Sequence, residues 1–402
     1  MRSPRRARIG KQDWPTLLII TNIWTPYRAA FFDVLDEECR HSSIQLEVLL
    51  VAHTEKGRPW TFPQESAPHW ARVLPGIHPR FGGVTFHMNP GVVAAIRQGP
   101  PTWVVSGGSW LTPTMLLGRL ARSSRSWCIL WSEGHADAAI VPSGPIASLR
   151  RATLRTYDGF AAPNQRSATY LREQTGRSSP VLSLPNTVDE STFREETRAE
   201  ARDVVVDKRP KPITLLVVAR LKSIKRVREA VEAFLRLPSH LRQASQLLVA
   251  GDGPERDAIE QLAKSEPNIK LLGQVHTDRM PSLYRDVDGF ALLSSRDPNP
   301  LSVIEASFAS LPLMLSTEVG NCRELAVPGL NGWIVDMNDS RMLDQAFAEF
   351  FGSPRLALIE MGRASQEIAE RSFTRRQVAS TFLSELTSAF PAGERIFRGM
   401  RK

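Results

Sequence analysis

The sequence predicts an α/β protein of two doubly wound domains, and three observations predict it. Strand-length apolar runs alternate with helical patterns from end to end. The runs are continuously apolar, as in parallel sheets covered on both faces, and they fall in two successive series. The first series is Leu17–Thr21, Leu46–Ala52, Trp103–Gly107, Cys128–Ser132, Gly159–Pro163 and Val181–Pro185. The second is Ile213–Arg220, Gln246–Gly251, Ile269–Gly273, Gly289–Ser294, Leu313–Ser316 and Gly332–Asp336. A polar, charged interval from Glu195 to Lys211 separates them and reads as a linker. A chain of 402 residues exceeds one ordinary core and suits this division. The expected boundaries are a basic tail at 1–15, a first domain at 16–195, the linker at 196–211, a second domain at 212–370 and a C-terminal helical segment at 371–402.

Composition narrows the function classes. The net charge of +9 gathers in Arg2, Arg5, Arg6, Arg8 and Lys11, in Arg119, Arg122 and Arg125, and in Arg150, Arg151 and Arg155. No aromatic-rich basic strand accompanies these clusters, so nucleic acid is disfavoured. An anionic membrane surface or a diphosphate-bearing lipid suits them at least as well, and an ordinary solvated surface is the other reading. Apolar runs such as Leu215–Ala219 fall far short of the ~20 residues that span a bilayer. No apolar signal core follows the basic N-terminus, which points to a cytoplasmic chain. Cys39, Cys128 and Cys322 lack metal-ligand spacing, the eight histidines contain no close-spaced pair, and a reduced compartment without structural zinc is expected.

In open α/β sheets ligands sit beyond the carboxyl ends of the strands. After Ile213–Ala219 come Arg220 and Lys225, a fork and a point charge placed to neutralise a diphosphate. After Gln246–Ala250 come Gly251 and Gly253, which permit a tight turn and close backbone approach to a ligand. After Ile269–Leu272 comes Gly273-Gln-Val275-His276, whose backbone can pair with a nucleobase edge. After Gly289–Leu293 comes Arg296-Asp297-Pro298-Asn299-Pro300-Leu301-Ser302, with Glu305 eight residues beyond Asp297. The prolines mark a helix start and leave donation there to the N–H groups of Asn299, Leu301 and Ser302. Asp297 can accept from sugar hydroxyls and Glu305 from a ribose diol. Thr317-Glu-Val-Gly320-Asn-Cys-Arg-Glu324 adds a further glycine turn with an acid at the next helix.

In this order and spacing the second half resembles the family 4 glycosyltransferases of the GT-B fold. The resemblance rests on Arg220-Leu-x₃-Lys225, Gly251-Asp-Gly-Pro254, Leu272-Gly-x-Val275, the two acids eight residues apart with Glu305-Ala, Gly320-x₃-Glu324 and Asn331-Gly332. The first half is similar to a subset of that family through Thr25-Pro-Tyr27-Arg28, Ser106-Gly107-Gly108-Ser-Trp110, Leu130-Trp-Ser-Glu133-Gly134 and Leu184-Pro-Asn-Thr-Val-Asp189, so the likeness spans residues 16–390.

The resemblance implies two Rossmann-like domains facing across a cleft, with the last helix, near Thr374–Phe390, packing back on the first domain. It implies a retaining, metal-independent transfer from a nucleoside-diphosphate sugar to a glycan or lipid-linked glycan, with no cofactor. Arg220 and Lys225 then bind the diphosphate, Glu305 the ribose, and Asp297, standing where the family usually has glutamate, the donor sugar. Glu133 or His135 faces the sugar, and Tyr27, Arg28, Gly107 and Gly108 line the acceptor side, where adjacent glycines leave room for a substrate. Ile146, Leu149, Thr153 and Tyr157 share one helical side flanked by Arg150, Arg151 and Arg155. That helix either docks on an anionic membrane at its inner face or faces the core. A sugar-nucleotide epimerase of the same architecture and a non-catalytic nucleotide-sugar-binding relative are the alternatives.

Overall fold

The structure, a computed structural model, describes residues 14–55, 61–63, 65–81, 84–108, 112–121, 126–134, 144–176, 178–194 and 211–393. His135, Trp110, Arg122, Arg125, most of the basic tail and most of the linker lie outside the described residues.

All twelve apolar runs are strands. They are β1 (Thr16–Thr21), β2 (Gln45–Leu50), β6 (Trp103–Gly107), β7 (Trp127–Trp131), β8 (Gly159–Ala162), β9 (Val181–Ser183), β10 (Ile213–Val218), β11 (Ser245–Ala250), β12 (Ile269–Gly273), β13 (Gly289–Leu292), β14 (Leu313–Ser316) and β15 (Gly332–Val335). Three short strands escaped the pattern: β3 (Ala71–Val73), β4 (Arg80–Phe81) and β5 (Val84–Thr85), each too brief to show a period. Two main sheets result, ordered β3-β2-β1-β6-β7-β8-β9 and β12-β11-β10-β13-β14-β15. Every registered pair in the second sheet is parallel.

Burial on both faces explains why these strands are unbroken apolar runs. In β10, Leu215 and Val217 enter one core with Val227, Val231, Phe234, Phe347 and Phe350. Leu216 points the other way, into a core with Tyr284, Phe290, Ile304 and Phe308. Each fully buried side chain of this size contributes roughly 1.5–3 kcal/mol through removal from water. Gly289 in β13 has a packing reason: a Cβ there would lie 2.3 Å from the Phe350 ring.

The strand order sets the positions that matter. The second sheet steps outward from β10 through β11 to β12, then crosses to β13 on the other side of β10. Consecutive connections leave in opposite directions there, and the loops after β10 and β13 flank the switch point where such sheets bind ligands. In the first sheet β1, between β2 and β6, is the equivalent strand.

The chain divides into two compact units. One comprises Met1–Trp131, Ala152–Phe160 and Phe382–Lys402; the other comprises Ser132–Arg151 and Ala161–Thr381. Within the first, the Trp103 indole donates to the Phe390 carbonyl at 2.8 Å and Trp127 to that of Pro391 at 3.2 Å, which anchors the end of the helix Arg375–Ala389. All three cysteines are buried, and none forms a disulfide. No helix of the described residues is long and apolar enough to cross a membrane.

Candidate functional site

Backbone hydrogen bonds fasten the loops after β10, β11 and β13 to one another. Leu221 N–H donates to the Asp252 carbonyl at 2.9 Å and Glu255 N–H to the Leu221 carbonyl at 3.0 Å. A Cβ on Gly251 would lie 1.8 Å from the Ala219 carbonyl oxygen, and one on Gly253 2.5 Å from that of Leu221, both at positive φ. The two glycines therefore admit the chain's own backbone at 219–221. Their N–H groups are engaged as well, Gly251 with the Gly273 carbonyl and Gly253 with the Asp252 carboxylate. In this position they seat the Arg220 loop. Arg220 itself is exposed and pairs with no carboxylate among the described residues.

The loop after β10 is also tied to the loop after β13. Ser295 N–H donates to the Ile224 carbonyl at 2.8 Å and its hydroxyl to the same oxygen at 3.2 Å. This brings the Lys225 ammonium against the Asp297 carboxylate in a partly buried ion pair. The two charges expected to meet different parts of a ligand thus neutralise one another here.

Asp297 is fixed from behind as well. Its carbonyl accepts from Gly320 N–H at 2.8 Å, and Val319 bridges to it in parallel. The Asn164 amide donates to the Pro298 carbonyl at 2.7 Å while its oxygen caps the helix Gln165–Thr175 by accepting from Ser167 N–H. Arg166 donates to the Thr317 carbonyl at 2.6 Å, and Glu324 accepts from Gln165 N–H at 2.7 Å. Burial pushes the Glu324 carboxyl above its ordinary range, with the Gln165 N–H opposing.

The helix Leu301–Phe308 begins at Pro300, as the proline pair predicts. The N–H groups of Asn299, Leu301 and Ser302 find no acceptor among the described residues, and both polar atoms of the buried Asn299 side chain are unpartnered. Such a helix start presents partial positive charge to an anion. One turn further on, Glu305 is partly exposed and accepts from the Tyr284 hydroxyl at 2.9 Å. Burial raises its carboxyl above the ordinary range and the Tyr284 hydrogen bond works against that.

The remaining predicted residues fall as follows. Val275 follows β12, and its backbone N–H and C=O make no hydrogen bond among the described residues. Glu133 follows β7, its carbonyl 3.5 Å from the Ser167 hydroxyl. In the first unit, Arg28 lies over the Trp131 ring, 4.8 Å from its centre, and donates to Thr21 at 3.0 Å; Tyr27 precedes it in the helix Pro26–His41. A Cβ on Gly107 would approach that same indole to 3.0 Å, so the space beside this glycine holds Trp131 rather than being open to a substrate. Gly108, at positive φ, would crowd Asn22 Oδ1 at 3.1 Å. On the helix Gly144–Leu154 the predicted face splits: Ile146 and Leu149 are 52% and 57% exposed, whereas Tyr157 and Arg150 are buried. Arg150 reaches Gln174 at 3.2 Å and overlies Tyr170, so it is no part of a solvated basic face.

Sequence reasoning missed Asn164, Arg166 and Tyr284. Asn164 carries a legible signal, an N-cap residue before a helical run, but its Pro298 contact is 134 residues away. Among the described residues no group of three or more His, Cys, Asp or Glu could hold a metal ion.

A doubly wound pair of parallel-sheet domains, with a charged switch-point loop and a helix start after β13, is the GT-B architecture of glycosyltransferases. Residues 199–366 match the family described as Glycosyl transferases group 1. N-acetyl-alpha-D-glucosaminyl L-malate synthase of Bacillus anthracis is 23% identical over 251 residues, 61% of this chain and 64% of that protein. The O-antigen biosynthesis glycosyltransferase WbnH of Escherichia coli is 30% identical over 34% of this chain and 38% of its own length. The chain thus spans less than two thirds of either relative. A solved structure of Anabaena HepE in complex with UDP and glucose has the same fold, with a TM-score of 0.64 and 17% identity over 92% of this chain and 99% of that one.

Proposed function

We propose that the chain transfers a sugar from a nucleoside-diphosphate sugar to a glycan or lipid-linked glycan acceptor in polysaccharide or glycolipid synthesis. The observation that carries this reading is the switch-point cluster: Lys225 against Asp297, exposed Arg220 on the same loop as Lys225, unpaired N–H groups at a helix start and Glu305 one turn in. Arg220, Lys225 and the helix-start N–H groups would meet the charge that builds on a departing diphosphate, which is electrostatic stabilisation of a leaving group. With that charge met by side chains and backbone, the reaction needs no bound metal. Asp297 would accept from the donor sugar's hydroxyls, Glu305 from the ribose and the Val275 backbone from the base edge. Transfer proceeds with retention at the anomeric carbon, with Glu133 on the donor side and Tyr27, Arg28 and Gly108 toward the acceptor. The Bacillus anthracis, Escherichia coli and Anabaena proteins, whose names specify an N-acetyl-alpha-D-glucosaminyl L-malate synthase, an O-antigen biosynthesis glycosyltransferase and a complex with UDP and glucose, support the substrate class.

A transfer assay over a panel of nucleotide sugars, run with and without chelator, tests this reading. Glu305→Ala and Asp297→Ala should each lower kcat/KM by about 10²-fold or more. Unchanged transfer in both would refute the site, an absolute metal requirement would refute the metal-free step, and donor turnover without acceptor would favour an epimerase.

We also place the chain in the cytoplasm, peripheral to an anionic membrane that presents the acceptor. The outward Ile146 and Leu149, with Arg151 on the same helix, support this. Replacing Ile146 and Leu149 together by Asp should cut co-sedimentation with phosphatidylglycerol vesicles on the order of ten-fold while sparing transfer to a soluble acceptor. Equal sedimentation of variant and wild type would remove the membrane from the account.

A further inference from the structure

Tyr284, on the helix Met280–Arg285, is wholly buried, which is unusual for a phenol unless its hydroxyl has a partner. Its ring lies edge-on to Phe193 at 5.8 Å and tilted against Phe290 at 6.0 Å, so aromatic packing on two sides fixes where the hydroxyl points. It points at the helix Leu301–Phe308, 2.9 Å from Glu305 Oε2 and 3.4 Å from the Ser302 carbonyl. A phenol has one proton, and the shorter, charge-assisted contact takes it. The second carboxylate oxygen of Glu305 has no partner among the described residues.

We propose that Tyr284 is a positioning residue for donor recognition: it fastens one oxygen of Glu305 and leaves the other aimed to accept from a ribose hydroxyl of the donor's nucleoside. The inference rests on the ribose role given to Glu305 above. A carboxylate held by one oxygen cannot swing, and a fixed acceptor discriminates hydroxyl from hydrogen better than a mobile one. The hydrogen bond also favours the ionised form of Glu305 against the burial that opposes it. Other acids on elements packed against this helix are committed elsewhere: Glu190 to Arg375, Glu324 to the Gln165 N–H and Glu370 to Arg194.

Tyr284→Phe keeps the ring and removes only the hydroxyl. The experiment compares Kd for UDP, ADP and GDP with Kd for their 2′-deoxy forms, across pH, in wild type, Y284F and E305A. Wild type should prefer the ribonucleotide by roughly ten-fold, the scale of a hydrogen bond to a charged group. Y284F should lose most of that preference, and the pH below which binding fades should move upward, because Glu305 then holds its proton to higher pH. A purely structural role for Tyr284 would move neither. 3-Fluorotyrosine at position 284, a stronger donor of the same shape, should shift the acid limb the opposite way and decides the matter should Y284F fold poorly. If E305A keeps the ribose preference, or wild type binds none of the three nucleotides, the ribose reading itself fails. If E305A loses the preference while Y284F and the fluorinated protein behave as wild type, Tyr284 positions nothing and the ribose reading stands.

Discussion

Lys225→Ala should lower kcat/KM for transfer by about 10²–10³-fold, the scale of removing one electrostatic contact to a developing charge. Two effects act together. The variant loses a cation at the switch point, where the departing diphosphate gathers charge. It also leaves the Asp297 carboxylate, whose side chain is only 17% exposed, without its partner. An unpaired carboxylate there repels the very diphosphate that the site must hold. Lys225→Arg restores the charge on a longer, planar head and should recover part of the loss. Stability should fall less than activity, because the loop is held independently by the two Ser295 bonds to the Ile224 carbonyl. Steady-state kinetics beside a melting curve separate the cases: wild-type kcat/KM in K225A would remove Lys225 from the mechanism, and a melt lowered by many degrees would make the pair structural. The pairing also bears on Asp297 standing where glutamate is usual. Asp297→Glu lengthens the acid by one methylene, so the Lys225 contact must readjust before the longer carboxylate can reach a sugar.

The strands of this fold were legible because their cause is local. Leu215, Leu216 and Val217 alternate between two cores, and the chain writes that as an unbroken apolar run. The start of the helix Leu301–Phe308 was legible for the same reason, since Pro298 and Pro300 act on their own backbone. What stayed hidden depends on partners distant in sequence. The glycine pair at 251 and 253 reads as a tight turn, but the Ala219 and Leu221 carbonyls packed against it come from another strand end. Gly107 looks like open floor until the Trp131 indole occupies the space beside it. The stripe of Ile146, Leu149, Thr153 and Tyr157 reads as one face, yet the buried positions of its helix are Ala147, Arg150 and Leu154. Tyr284 carries no local signal, because a tyrosine becomes a site residue only through the carboxylate it reaches, 21 positions on.

Gly320→Ala should damage the second unit although it adds only a methyl group. The position has no positive φ, so the argument is space alone. A Cβ there would stand 1.9 Å from the Pro298 carbonyl oxygen, 2.6 Å from its carbon and 2.9 Å from the Asn164 amide nitrogen. A side-chain tip could turn away, but a backbone carbonyl moves only with its loop. That loop is also bound by the Gly320 N–H at the Asp297 carbonyl and by Asn164 at Pro298 itself, so the methyl group strains both bonds and carries Asp297 off its place beside Lys225. Overpacking of this kind costs about 1–3 kcal/mol. Displacing a reacting group by an ångström costs on the order of 10² in rate. The expected outcome is a melting point a few degrees lower and kcat/KM down by about 10²-fold, with the rate loss outrunning the stability loss. Gly352→Ala is the control: its Cβ would meet nothing within 4 Å, and it should leave both quantities near wild type. If G320A instead kept full activity, the loop from Asp297 to Asn299 could shift without consequence, and neither Asp297 nor the helix start beyond it could be holding the donor in a fixed geometry.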